Sequence, residues 1–180
     1  MTAGTVLDAI KSRRATRFFT DAPVSRETLL QILEAGRWAP SAGNRRLHRF
    51  VAVQDPTTIR LIRAVAPGMF GMPAALILIC IDWRKAATLG CETNLAGLYI
   101  DVGTAAENML LAGHGVGLGT GPVTSFSQAA VRVILNLPDH VSPELFVCVG
   151  HPVETHAPRS RPATPTRLDA LVDWERAEPD

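Results

Sequence analysis

Arg13, Arg14 and Arg17 fall within five residues near the start of the chain. Planar guanidiniums grouped in this way can hold a phosphate through paired hydrogen bonds, although such a run also serves as a plain solvated face. A second group, Ala39-Pro40-Ser41-Ala42-Gly43-Asn44, joins small side chains to one hydroxyl and one amide. It reads either as a turn able to approach a ring system and offer donors and acceptors, or as a simple loop. Between Gly115 and Thr124 the glycines alternate, which suits a helix stop or a close strand crossing. Arg159 and Arg161, with Arg167 further on, lie in a Pro- and Arg-rich tail as phosphate ligands or as solvated charges.

Other chemistries lack their signatures. The chain contains neither G-x-G-x-x-G nor G-x-x-x-x-G-K-[ST], so it carries no dinucleotide fingerprint and no P-loop. His48, His114, His140, His151 and His156 are scattered without ligand spacing, and no metal site is expected. No G-x-S-x-G and no spaced Cys/His pair marks a hydrolytic nucleophile. Cys80, Cys91 and Cys148 form no C-x-x-C pair, and Cys80 and Cys148 sit in apolar runs that read as buried packing.

With 180 residues the chain suits one domain and one site. A formal net charge of +1 gives no broad attraction for nucleic acid or an anionic membrane, so any anion site must be local. The longest apolar run, Ala74–Ile81, is far short of the roughly 20 residues a spanning helix needs, and the start shows no signal peptide. A cytoplasmic protein is expected.

The elements that must position these groups are legible in part. Val6–Arg14 suits a short amphipathic helix that delivers the three arginines together. Ser25 caps a second helix carrying Leu29, Leu30 and Leu33, which Gly36 and Pro40 end. Arg49–Gln54 reads as a strand, and Asp55-Pro56 as the cap and first position of a helix to about Val65. Ala74–Ile81 reads as a strand buried on both faces, and Asp82–Asn94 as irregular. From about Leu95 to His114 a stripe of large and small apolar residues predicts a central helix. A strand ending near Val123-Thr124 follows, then a helix from Ser125 or Ser127 that stops before Pro138, then a core strand over Leu145–Val149. The segment Pro152–Pro165 cannot bury itself and needs a surface, its own or a partner's.

Taken in order, Ser12-Arg13-Arg14-Ala15-Thr16-Arg17-Phe18, Ala39–Asn44, Ala105–Ala112 with Gly117-Leu118-Gly119-Thr120, and Val149-Gly150-His151-Pro152 resemble the nitroreductase (flavin reductase-like) family over nearly the whole chain. The resemblance implies an α+β fold: a central, mostly antiparallel sheet wrapped by helices. Residues 1–151 would form the FMN-binding domain, and 152–180 an extended arm of the same domain exchanged in a homodimer. It further implies that Arg13, Arg14 and Arg17 face FMN, with Arg17 near N1/O2, where a cation stabilises the reduced flavin. Pro40, Ser41 and Asn44 would reach the flavin from the partner subunit. Pro122, Val123 and Thr124 would lie beside the ring with a backbone N–H toward N5, and Arg159 and Arg161, or Arg167 in another tail register, would complete the phosphate site. NAD(P)H would supply hydride and a small-molecule oxidant, such as a nitroaromatic or quinone, would take the electrons in a ping-pong cycle without a catalytic side chain. A catalytically poor flavin-binding or sensing protein of the same fold is the alternative. Ala15 stands where the family usually has Ser, and Arg46-Leu47-His48 where Gln-Pro-Trp is common. Asp82–Asn94 is then the segment left to cover the pocket.

Overall fold

The structure is a computed structural model that describes residues 6–153 and 167–174. Four strands, β1 (His48–Val53), β2 (Ala75–Asp82), β3 (Gly119–Val123) and β4 (Val141–Gly150), form a sheet of order β1-β2-β4-β3. Every pairing is antiparallel. The uninterrupted apolar run of β2 follows from helices on both faces of the sheet. Ile77, Ile79 and Ile81 enter one core with Ile32 and Met109, whereas Leu76, Leu78 and Cys80 enter the other with Ile59, Ile62 and Val131. Such double cover is commoner in parallel sheets, where it gives the same continuous pattern. Each large aliphatic side chain buried in this way contributes about 1.5–3 kcal/mol.

Among the described residues six α-helices accompany the sheet: α1 (Val6–Ser12), α2 (Arg26–Arg37), α3 (Pro56–Ala64), α4 (Trp83–Thr88), α5 (Leu95–Gly115) and α6 (Gln128–Ile134). Their starts are set by side chains that accept an otherwise unpaired backbone N–H. Ser25 caps α2, Asp55 caps α3, Asn94 caps α5 and Ser127 caps α6. Removing such a cap typically costs about 1 kcal/mol. Helix α5 lies between α2 and the sheet, and its small residues permit the close approach: a Cβ at Gly113 would strike the Thr120 side chain.

Two expectations need correction. Asp82–Asn94 is not irregular throughout, because the Asp82 carboxylate accepts the Lys85 N–H at 3.0 Å and starts α4. The last strand begins four residues before Leu145, at Val141, and the register shift opposite Ile79/Cys80 explains why its first half lacks a clean pattern: Leu145 pairs with Ile79 and Pro143 with Cys80, so Glu144 is extra.

Several large apolar side chains remain exposed. Helix α1 has no buried residue and shows Val6, Leu7 and Ile10 to solvent, α5 shows Leu95, Tyr99 and Ile100, and the C-terminal stretch shows Leu168, Leu171 and Trp174.

Candidate functional site

After α1 the chain runs along the outer edge of β3. Ala15 bridges Thr120 in the parallel sense, and the Thr16 N–H donates to the Thr120 carbonyl at 2.7 Å. Further on, the Thr20 N–H donates to the His151 carbonyl at 2.8 Å, which ties the segment to the chain leaving β4. Gly121 is required at the crossing, since a Cβ there would collide with the Thr16 carbonyl oxygen. Arg17 is thereby held beside the end of β3, in a cleft lined by Thr16, Gly68, Phe70, Pro122 and Val123. Its guanidinium carbon sits 5.3 Å from the centroid of the Phe70 ring, within cation–π range. Arg17, Pro122 and Thr124 are exposed, and Val123 is buried. Nearby Cys148 is inert packing: burial pushes its thiol up to about 12, against an opposing pull from Arg17. Burial, reinforced by Glu144, does the same for Cys80, also to about 12.

The crossing gives a prediction. Gly121→Ala must displace backbone, so it is expected to lower stability by about 1–3 kcal/mol. A urea melt reads the loss; an unchanged midpoint would mean that the Thr16 crossing is not held this closely.

The other two arginines take different roles. Arg14 turns one guanidinium nitrogen back onto the Lys11 and Arg13 carbonyls, both at 2.7 Å, and so caps the end of α1. Arg13 Nε lies 3.3 Å from Glu107 Oε1 on α5, but that N–H is buried and makes no hydrogen bond. Arg13 is thus turned toward Glu107 as its charge partner on α5.

The turn Pro40–Arg46 is strained and tightly held. Gly43, Asn44 and Arg46 have φ of 59°, 53° and 49°, and for the two residues with side chains the left-handed region costs on the order of 1–3 kcal/mol each. Ser41 Oγ accepts the Arg46 N–H at 3.1 Å, Lys85 Nζ donates to the Arg46 carbonyl at 2.8 Å, and Thr104 Oγ1 donates to the Pro40 carbonyl at 3.0 Å. The Arg46-Leu47-His48 departure is absorbed locally: Leu47 is buried in the core and His48 stacks on Phe50 at 4.9 Å. Asp82–Asn94 packs against this turn through Lys85 and through Arg45, which contacts Cys91 and donates to the Leu89 carbonyl.

Burial holds His48 below its ordinary value; Asp101 opposes this, while Lys85 and Arg46 add to it. A folded-state value below the unfolded one means that the unfolded chain takes up the proton first. Stability from His48 is thus complete above the unfolded value of about 6.5 and is lost as pH falls through the folded one. Denaturation midpoints are expected to drop as pH falls below about 6.5, and the drop should shrink in His48→Phe. An identical pH profile in that variant would remove His48 as the cause.

The nitroreductase family model matches residues 10–76 and 67–151, two overlapping stretches that include the Arg17 segment, the turn and the end of β4. The chain belongs to the nitroreductase family. It is 31% identical over 173 residues to the FMN reductase [NAD(P)H] of Bacillus subtilis (strain 168), with 87% of this chain and 69% of that protein covered. It is 27% identical over 173 residues to the NADPH-flavin oxidoreductase of Vibrio harveyi, covering 90% and 71%. A crystal structure of a nitroreductase family protein from Clostridium difficile 630 superposes with a TM-score of 0.81 at 25% identity, covering 97% of this chain and 99% of that one.

Within this family member, Arg17, Pro122 and Val123 share one cleft. The Pro40–Asn44 turn instead adjoins a second cleft, lined by Ala42, Arg45, Cys91, Asn94 and Asp101. Arg159 and Arg161 lie outside the described residues. Arg167 makes a forked pair with Asp169, at 3.0 Å from Nε and 2.6 Å from Nη2. The sequence reading missed Phe70, Glu107, Thr104 and Asp101. Asp101 left a signal: it lies three residues after Leu98, on the apolar stripe of α5, where a carboxylate is buried only with a purpose.

Proposed function

We propose that this chain is an FMN-dependent NAD(P)H oxidoreductase that works as a homodimer in the cytoplasm. The observation that carries the reading is the tethering of Arg17 beside the end of β3, on an exposed cleft with an apolar wall. The residues present fit FMN: Arg17 offers an exposed cation beside the end of β3, next to an apolar wall. FMN, when bound, supplies hydride acceptance at N5 and electron transfer to an oxidant.

The residues of this chain then bind and tune. Arg17 stabilises negative charge near N1/O2, and Arg13 and Arg14 hold the phosphate and ribityl end, with Arg159 and Arg161 or Arg167 completing it. Pro122, Val123 and Thr124 form the backbone edge along the ring. Pro40, Ser41 and Asn44 serve the neighbouring subunit's flavin, which agrees with their separation from the Arg17 cleft in one chain. In the proposed cycle nicotinamide and then a nitroaromatic or quinone would meet the flavin in turn, a ping-pong order. Among the described residues no helix is long and apolar enough to cross a membrane.

Titration of the flavin-free protein with FMN tests the reading. Fluorescence quenching that saturates at one FMN per chain is expected; a protein that stays colourless in excess FMN, with no quenching, overturns it.

A further inference from the structure

Asp101 is an acidic residue on the apolar stripe of α5, only 4% exposed. Its Oδ1 accepts the Ala42 N–H at 2.9 Å, just before the left-handed residues Gly43 and Asn44. Its Oδ2 is buried and has no hydrogen-bond partner. One turn further along α5, Thr104 holds the Pro40 carbonyl, so the helix grips the turn by one acceptor and one donor. A carboxylate that leaves one oxygen unsatisfied in the interior is costly to keep; besides its pull on His48, what it visibly does is grip the turn.

We propose that Asp101 is a positioning residue for the flavin site: through the Ala42 N–H it holds the Pro40–Asn44 turn, with Gly43 and Asn44 left-handed, in the form that engages FMN, without itself touching the cofactor. This rests on the functional reading above. Loss of the acceptor frees the turn to relax out of its strained conformation, so the site must be reordered each time FMN binds. An apolar residue of similar size removes the acceptor while filling the space, and an amide keeps one acceptor oxygen.

The test compares Asp101→Leu and Asp101→Asn with Ile62→Ala, which opens a cavity in the opposite core and does not touch the turn. Two readouts are needed: hydrogen exchange of amides 42–46 in flavin-free protein, and the dissociation constant for FMN well below each variant's melting temperature. Asp101→Leu is expected to speed exchange at 42–46 and weaken FMN by roughly tenfold or more. Asp101→Asn should recover most of both, and Ile62→Ala should lower the melting temperature yet leave both unchanged. Wild-type protection at 42–46 without any FMN binding would overturn the functional reading and this proposal's link to flavin. Unchanged exchange and affinity in Asp101→Leu would overturn the positioning role alone, and so would equal loss in Ile62→Ala, which marks a general effect of instability. If Asp101→Leu fails to fold, failure of Asp101→Asn to retain affinity and protection above the level of Thr104→Ala decides against it.

Discussion

Truncation after Val153 is expected to abolish the dimer and FMN binding together. The removed piece carries Leu168, Leu171, Val172 and Trp174, of which Leu168 is 76% exposed and Trp174 82% exposed in the single chain. Side chains of this size belong against a surface, and each buried on a partner contributes about 1.5–3 kcal/mol before ordering costs. Because about 1.4 kcal/mol is a factor of ten in an equilibrium constant, losing four such contacts weakens association by orders of magnitude. Flavin binding should fall with it, since the Arg17 cleft and the Pro40–Asn44 turn lie in separate places on one chain and a complete site then takes two. The core should survive: both hydrophobic clusters are built from residues before Gly150. Light scattering of the truncated protein, run beside an FMN titration, is the check. A soluble, FMN-loaded monomer would contradict the shared site.

Arg17→Ala is expected to slow reduction of bound flavin about tenfold and to lower its reduction potential, with little change in stability. Removing a full positive charge from the place where negative charge develops raises the barrier. Solvent access limits the effect to the order of 1.4 kcal/mol, a factor of about ten in rate. Arg17 is exposed and its ring contact with Phe70 is a modest one, so the fold does not depend on it. Arg17→Lys retains the charge but not the planar fork, and should fall between the two. Stopped-flow reduction and a potential measured against a reference dye would show this; an unchanged potential in a fully loaded Arg17→Ala protein would remove Arg17 from the role.

Much of this was legible in the sequence because local rules and tertiary structure agreed. Ser25, Asp55 and Ser127 cap helices as their types suggest, and the Ala74–Ile81 run is a strand because both its faces are covered. The α4 start was missed because Asp82 reads as the end of an apolar strand before it reads as a cap. The early part of β4 was missed because Pro143 and the extra Glu144 break its alternation. At the site, Arg17 stood out by type and spacing. Thr104 and Phe70 did not, because their importance lies in contacts across 64 and 53 positions of chain that no local pattern encodes, and Asp101 showed only as a carboxylate on an apolar stripe, with its partner 59 positions away. Arg14 shows the converse: its spacing suggested a ligand, and one of its nitrogens closes its own helix.

Anaerobic addition of NADH or NADPH to the FMN-loaded protein, followed by a nitroaromatic or quinone, is the most direct measurement. The flavin absorbance should bleach with at least one nucleotide and return when the oxidant is added. Flavin that stays oxidised in the presence of both nucleotides would show that the chain binds FMN without being the oxidoreductase proposed.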